Sequence, residues 1–143
     1  MHPNSKLEKD DNGKDVDETR YRGMIGSLMF LTSSRLDIVQ SVGVCSRFQS
    51  HPRELHLSPV KRIIRYIKGT ADFGLWYSKT DEFCIVGYCD AKFVGDHVDR
   101  RSTSGMCYFL GQFLNVRSSK KQATVALSTA ETEYISTSSY CSQ

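Results

Sequence analysis

Two carboxylates in this 143-residue chain have the types and settings from which a magnesium-dependent nuclease site could be built. Asp90 lies near the end of a predicted strand, and Glu133 lies in the first turn of a predicted helix. A two-metal phosphodiesterase needs several carboxylates that converge on cations roughly 3.5–4 Å apart, because each cation must contact both the protein and the phosphate oxygens. We expect two carboxylates to be too few for that chemistry. Taken singly, each is also typical of a surface turn or of a helix N-terminus.

A basic face on a predicted helix is the second candidate site. Four cations lie on the side opposite the isoleucines of this helix, and they are Lys61, Arg62, Arg65 and Lys68. Cations on one side of a rigid helix can follow a phosphate backbone and release counterions, which makes binding depend on salt. The same pattern is also typical of a solvated helix face. Tyr66 beside it could stack on a base or pack, and Lys120 and Lys121 could contact phosphate or lie in a surface turn.

Composition bounds the class of protein loosely. The chain has a formal net charge of +3 and 39% hydrophobic residues, which is enough for a modest core. Five cysteines without a CxxC pair, and no histidines at zinc spacing, predict reduced thiols. No apolar run approaches the roughly 20 residues that cross a bilayer, and the N-terminus lacks the apolar core of a signal peptide. We therefore expect no membrane partner and, by default, an intracellular protein.

Helical spacing dominates the first half of the chain. A polar leader at residues 1–16 should be mobile or loosely docked. Apolar residues then recur at helical spacing over residues 21–29, and two further amphipathic stretches follow. The first helix is predicted to begin after Asp17 as its N-cap, and the second to run over residues 37–48. The third is predicted to begin at Ser58 and Pro59 and to end at Gly69.

The pattern changes to short aromatic and β-branched runs after residue 72. These runs predict antiparallel strands over residues 73–77, 83–88, 104–110 and 113–116. A last helix is predicted over residues 129–141, because Ser128 or Thr129 precedes an acidic residue in a capping-box arrangement. The elements predict an α+β fold, in which an N-terminal helical cluster precedes an antiparallel sheet and a C-terminal helix.

Several segments, spread over nearly the whole chain, resemble the Pol polyprotein of copia-type retrotransposons. They are residues 21–32, 46–48, 60–70, 99–105, 119–122 and 126–131. In that family the first half corresponds to the end of the reverse transcriptase, with its thumb and connection helices, and the second half to the start of the RNase H domain. The resemblance implies a flexible leader at 1–16, a reverse-transcriptase-like helical segment at 17–72 and a truncated RNase H-like domain at 73–143.

The resemblance gives the candidate residues their roles. Asp90 matches the first catalytic aspartate and Glu133 the catalytic glutamate, with Glu131 as the alternative, and both would ligate magnesium in a complete site. The basic helix matches the thumb segment that lies against template and primer. The family's further acidic ligands do not occur before the chain ends at Gln143, so the site is expected to be vestigial and no cofactor is expected in the chain itself.

Four residues depart from the family's motifs. Lys92 stands in place of an acidic residue and Phe93 of a tryptophan, next to the candidate site. Leu36 stands in place of the proline in an Arg-Pro-Asp motif, and Arg117 in place of a tryptophan. A cation beside the carboxylates disfavours a bound metal ion by Coulomb repulsion.

The resemblance implies a retroelement-derived reverse transcriptase/RNase H fragment without catalytic activity that retains weak binding to an RNA–DNA hybrid. Short reading frames similar to this one also occur among the secreted RxLR effectors of oomycete plant pathogens. The alternative is therefore an effector that is secreted into a host cell, binds a host protein and modulates cell death. Residues 62–65 and 53–56 are degenerate forms of the Arg-x-Leu-Arg signal. Two further possibilities follow from an incomplete sheet. A partner could complete the RNase H site in trans, and the chain could self-associate through an unpaired strand edge.

Overall fold

The computed structural model describes residues 7–79, 84–95 and 99–142 of the chain. The chain divides into two compact units, Met1–Gly74 and Leu75–Gln143. The described elements of the first unit are α1 (Glu18–Leu31), α2 (Val39–Ser46) and α3 (Glu54–Gly69). Those of the second are β1 (Ile85–Lys92), β2 (Thr103–Leu110), β3 (Phe113–Lys121) and α4 (Thr129–Cys141). The predicted α+β class, with a helical first half and an antiparallel sheet followed by a helix, is confirmed.

One hydrophobic core holds the three helices of the first unit together. Its buried residues come from all three helices and from the turn before α2, and they are Tyr21, Ile25, Leu28, Ile38, Val42, Cys45, Val60 and Ile63. The hydroxyl of Tyr21 donates a hydrogen bond of 2.9 Å to the backbone carbonyl of Cys45, so this buried phenol keeps a polar partner. Burial also raises the pKa of the Cys45 thiol to about 11, which keeps it protonated at neutral pH.

The N-terminus of α1 is capped as the sequence predicts. Oδ1 of Asp17 accepts hydrogen bonds from the backbone N–H groups of Thr19 (2.8 Å) and Arg20 (3.2 Å). These two donors have no partner within the helix itself, and so the aspartate stabilises the first turn.

The start of α3 lies earlier than predicted. The helix begins at Glu54, and Pro59 lies inside it at the cost of one backbone hydrogen bond. The backbone N–H of Arg53 donates to Nδ1 of His56 (2.9 Å), and the buried imidazole stacks on Phe48 with ring centroids 4.0 Å apart. A histidine in this capping role is not among the usual sequence signals for a helix start, so the assignment of Ser58 and Pro59 as the start was wrong.

The leader docks on the beginning of α3 over its described residues. Asp15 forms an isolated β-bridge and an ion pair with Arg53. The ring of His56 reaches back to the carbonyl of Glu8, with Nε2 3.0 Å from the oxygen. Because Nδ1 of this ring accepts from Arg53, Nε2 must carry the proton and donate. Leu7 and Val16 pack against the hydrophobic core, which gives the leader an apolar contribution as well.

A guanidinium ties the end of α3 to the turn before α2. Arg35 forms a fork with Asp37, through Nε to Oδ1 (3.1 Å) and Nη2 to Oδ2 (2.8 Å). Its Nη1 also donates to the carbonyl of Thr70, at the C-cap of α3 (2.9 Å). The hydroxyl of Tyr66 donates to the same aspartate (2.8 Å). The hydrogen bond from Arg35 lowers the pKa of Asp37 to about 2.

The low pKa of Asp37 predicts a pH-dependent part of the stability. Because the pKa is lower in the folded chain, this contribution is present above the unfolded value near 3.9 and is lost as the pH falls toward 2. Asp37→Asn should therefore cost about 1 kcal/mol at neutral pH, after discounting for solvent screening of a partly exposed pair, and the cost should shrink below pH 4. Urea unfolding between pH 3 and pH 7 measures the difference. Asp72→Asn, an exposed residue of the same unit, is the control, and an equal loss there would contradict the assignment.

The second unit contains a three-stranded antiparallel sheet in the order β1-β2-β3. Residues pair between β1 and β2 without a register shift, with Asp90 opposite Gly105. The turn predicted between β2 and β3 is confirmed, and its Gly111 has a φ of 59°, in the region that favours glycine. β1 continues to Lys92 and β3 to Lys121, so both strands run further than predicted.

Residues 73–77, which were predicted as a strand, do not form one. The hydroxyl of Tyr77 donates to the carbonyl of Leu114 (2.8 Å), and its ring packs on Phe113 at 5.5 Å. These are side-chain contacts, without the backbone pairing that defines a strand. Alternating aromatic residues were therefore a misleading signal here, and Trp76 is 83% exposed. Phe83, in the next predicted strand, lies outside the described residues.

The helix α4 begins and ends where the sequence predicts. Ser128 is the N-cap, and its Oγ accepts from the backbone N–H of Glu131 (3.1 Å). The carboxylate of Glu131 accepts from the backbone N–H of Leu127 (2.7 Å). The predicted capping box is formed only on the Ser128 side, because the Glu131 carboxylate accepts from the residue before the N-cap and not from the N-cap itself. None of the helices in the described part of the chain is long and apolar enough to cross a membrane.

Candidate metal and nucleic-acid sites

Asp90 lies on the face of β1 that points away from α4. Successive side chains of a strand point to opposite faces, so its neighbour Cys89 fixes the direction. Sγ of Cys89 lies 3.7 Å from Oγ1 of Thr137 on α4. The side chain of Asp90 is therefore directed to the other face, where Oδ1 accepts from the backbone N–H of Ala91 (2.8 Å). Contact with α4 is made by its backbone carbonyl, which accepts from Ser136 Oγ (3.2 Å).

Glu133 is exposed near the start of α4. The helix runs antiparallel to β1, because Tyr140 lies against Gly87 while Thr137 lies against Cys89. Glu133, one turn before Thr137, is consequently placed toward the Lys92 end of β1. The carboxylate of Glu131 is engaged by the backbone N–H of Leu127, which leaves Glu133 as the better candidate for the family's glutamate.

The two carboxylates approach the same end of β1 from different sides of the sheet. Within the described ranges, no group of three or more His, Cys, Asp or Glu side chains could hold a metal ion. Lys92 shares a strand face with Asp90, two positions away, so its ammonium lies on the side to which the carboxylate points. The described residues do not fit a two-metal centre by themselves, and Asp90 and Glu133 stay predicted magnesium ligands.

The four cations of α3 form an exposed basic face. Lys61, Arg62, Arg65 and Lys68 are all exposed, while Val60 and Ile63 of the same helix are buried in the core at 0% and 6% exposure. No carboxylate of the described part of the chain lies within ion-pair distance of these cations. The helix is held by its apolar side and at its C-terminus by Arg35, so the basic face is presented on a fixed support.

The two lysines at the end of β3 differ from each other. Nζ of Lys121 forms an ion pair of 2.6 Å with Asp99. Lys120 is exposed and lies opposite Ser104 in the register of β2 and β3. Only Lys120 is therefore presented to solvent as a candidate for phosphate contact, and the charge of Lys121 is largely compensated.

A buried polar network next to these lysines was not foreseen from the sequence. The amide nitrogen of Gln122 donates to Ser104 Oγ (2.9 Å) and to the carbonyl of Thr132 (3.0 Å). Oγ of Ser102 lies 3.1 Å from Oγ1 of Thr132 and accepts from the backbone N–H of Val94 (3.2 Å). The network ties the first turn of α4 to the end of the sheet near Lys92, where Ser104 lies opposite Ala91. Ser102, Ser104 and Gln122 lie in segments that resemble the family's motifs, and this was the only sequence signal that pointed to them. Their burial could not be inferred from spacing.

Both degenerate Arg-x-Leu-Arg segments lie within or next to α3. In residues 62–65, Ile63 is part of the hydrophobic core. In residues 53–56, Arg53 is the N-cap and His56 is 1% exposed. A receptor that reads such a motif as an extended peptide would have to unfold the helix.

Comparison with known proteins places all 143 residues against retroelement sequences. The chain is 39% identical over its full length to the retrovirus-related Pol polyprotein from transposon RE1 and 36% identical to that from transposon RE2, both of Arabidopsis thaliana. It spans 10% of the length of each of these two polyproteins. No family model and no solved structure matches the chain.

A shorter relative is similar over most of its own length. The secreted RxLR effector protein 161 of Plasmopara viticola is 40% identical over 119 residues, which are 82% of this chain and 84% of that protein. The similarity to the polyproteins and to this shorter protein agrees with both resemblances noted from the motifs.

Proposed function

We propose, from the premise that this chain belongs to the family of copia-type, retrovirus-related Pol polyproteins, that it binds RNA–DNA hybrid through the basic face of α3 without cleaving it. The observation that carries the proposal is the set of four exposed cations on one rigid helix. Each cation that contacts a phosphate releases condensed counterions, so binding should be weak, independent of sequence and sensitive to salt. The chain spans 10% of the length of the two polyproteins, so their activities, substrates and partners come to it only as proposals.

The geometry of α3 supports a backbone contact. Lys61, Arg65 and Lys68 are spaced by four and three residues, so they lie on one side of the helix within two turns. Two turns of helix span about 11 Å, a distance over which a nucleic acid strand presents several phosphates. The opposite side is buried, which fixes the rotation of the helix about its axis.

The proposed absence of cleavage rests on the placement of the two candidate carboxylates. Asp90 points to the face opposite α4, the helix that carries Glu133, and Lys92 lies on the same face as Asp90. An ammonium beside one carboxylate raises the energy of a bound divalent cation. In a magnesium assay with a labelled hybrid, we expect no product above the level of Asp90→Asn. Cleavage by the natural chain that this substitution abolishes would contradict the proposal.

Weaker binding on charge removal is the direct prediction. The triple variant Lys61→Gln, Arg65→Gln, Lys68→Gln should weaken hybrid binding by about tenfold or more at low salt. It should also reduce the slope of log Kd against log salt by about 0.9 for each phosphate that the helix no longer neutralises. Fluorescence anisotropy with a labelled hybrid, measured at several salt concentrations, gives both quantities.

A matched triple variant distinguishes an effect of the basic face on binding from an effect of the net charge. Lys9, Lys14 and Arg20 are exposed cations of the leader and α1, and their change to Gln removes the same charge. Binding should then change by less than about threefold. Equal weakening by both triple variants would show that only the total charge matters.

The second candidate function is that of a secreted effector. It is favoured by the similarity to RxLR effector protein 161, of which this chain covers 84%. Expression of the chain in leaf tissue together with a cell-death elicitor tests it. Suppression or enhancement of the response that persists in the α3 triple variant would support an effector role independent of nucleic acid.

A further inference from the structure

We propose that β1 pairs with β1 of a second copy of this chain, in antiparallel register centred on Tyr88, to form a continuous sheet across a two-fold axis. β1 is the edge of the described sheet, and it has eight residues, no proline and no register shift against β2. Natural edges are usually blunted by charges, prolines or bulges. Here the first five residues are uncharged, with Ile85 72% and Tyr88 61% exposed.

The hydrogen-bonding pattern shows which backbone groups are open. The N–H of Gly111 donates to the carbonyl of Cys84 (2.8 Å), and these two residues continue the register in which Ile85 is opposite Leu110. Cys84 therefore belongs to a hydrogen-bonded pair, and every second residue after it also bonds to β2. The intervening residues direct their N–H and C=O groups away from β2, and they are Ile85, Gly87, Cys89 and Ala91. The N–H of Ala91 already donates to Oδ1 of Asp90 (2.8 Å), so the open N–H groups are those of the other three.

A register centred on Tyr88 pairs all four of these outward residues. It places Ile85 opposite the second copy's Ala91 and Gly87 opposite its Cys89, so each outward residue enters a hydrogen-bonded pair. Tyr88 then faces its own copy in the closer, non-hydrogen-bonded type of pair, where aromatic side chains stabilise antiparallel strands. A two-fold axis makes the contact self-complementary and closes it at two copies.

The charges of β1 are compatible with pairing to a second copy. In the same register Asp90 lies opposite Val86 and Lys92 opposite Cys84, so no like charges face each other. On the α4 face, Tyr140 lies against Gly87 and stacks on Tyr108 of β2, with ring centroids 5.0 Å apart. The side chain of Tyr140 therefore lies over β1 and β2, while Thr137 and Ser136 of α4 contact Cys89 and the carbonyl of Asp90 on β1.

Sedimentation of the full 143-residue chain with reduced thiols tests the proposal. From about 5 µM to about 500 µM, the mean mass should rise from that of the 16.2 kDa monomer toward twice that value. Tyr88→Lys places two cations opposite each other across the axis and should weaken the dimer by about tenfold or more. Tyr134→Lys makes the same chemical change on α4, where the side chain is 79% exposed, and should change it by less than about twofold.

Amide hydrogen exchange followed by NMR provides a residue-level readout that does not depend on a variant. The amides of Gly87 and Cys89 should exchange more slowly as the concentration rises, while those of Tyr88 and Asp90 should be slow throughout. A monomer at every concentration, exchange independent of concentration at the Gly87 and Cys89 amides, or equal weakening by both lysine variants would overturn the proposal. So would a dimer that Tyr88→Lys leaves intact.

Discussion

Replacing His56 with alanine should lower the free energy of unfolding of the first unit by about 2–4 kcal/mol. The imidazole is 1% exposed, stacks on Phe48 and forms hydrogen bonds with the backbones of Arg53 and Glu8. Its removal leaves a cavity and a helix N-terminus without its cap, and it also releases the leader. Urea unfolding followed by circular dichroism measures the change.

His51→Ala provides the matched control, because the His51 side chain is 87% exposed. Its cost should be below about 0.5 kcal/mol. Hydrogen exchange should show that His56→Ala speeds the amides of α1 and α3, which share the hydrophobic core, by more than those of β2. A His56→Ala chain as stable as the His51→Ala chain would contradict the inference that the His56 ring stabilises the first unit.

Gly87→Ala should destabilise the second unit by about 1–3 kcal/mol. A Cβ at this position would lie 1.8 Å from the hydroxyl oxygen of Tyr140 and 2.5 Å from its Cζ. The tyrosine cannot move aside freely, because its ring stacks on Tyr108 and its backbone carbonyl accepts from the hydroxyl of Tyr108 (3.2 Å). Alanine therefore forces α4 away from β1 or breaks the stacked pair. Thermal unfolding of the two chains gives the difference.

Two comparisons make this prediction specific. Gly105→Ala is also in a strand, but its Cβ would have its nearest neighbour at 3.9 Å, so it should cost less than about 1 kcal/mol. In a Tyr140→Ala background the clash is absent, and Gly87→Ala should cost correspondingly less in the double-mutant cycle. Additive effects of the two substitutions would show that the close approach is not the cause.

Elements with local signals could be predicted from the sequence. The Asp17 cap of α1, the Ser128 cap of α4 and the turn at Gly111 each depend on a few neighbouring residues. Their energies come from backbone groups within one turn, and spacing is enough to identify them. The α+β class followed from the change of apolar period near residue 72.

Features that depend on distant partners could not be predicted in this way. His56 starts α3 because Phe48 and Glu8 surround its ring, and neither contact leaves a local pattern. Residues 73–77 alternate like a strand but pair with no strand among the described residues. For the candidate site, Asp90 and Glu133 lie toward one end of β1, and their role as magnesium ligands stays a prediction. The side of the sheet to which Asp90 points became evident only from the contact of Cys89 with α4.

The contacts of Tyr66 bear on what the basic face of α3 could distinguish. Its hydroxyl is engaged by Asp37, and the guanidinium of Arg35 lies 5.7 Å from the centre of its ring. The hydroxyl and one face of this ring are therefore already engaged, and we expect it not to rearrange to lie flat against a nucleobase. Under the proposed function the helix would then respond to the length of a duplex and not to its base composition, and hybrids of equal length but unrelated sequence should compete with one another on equal terms.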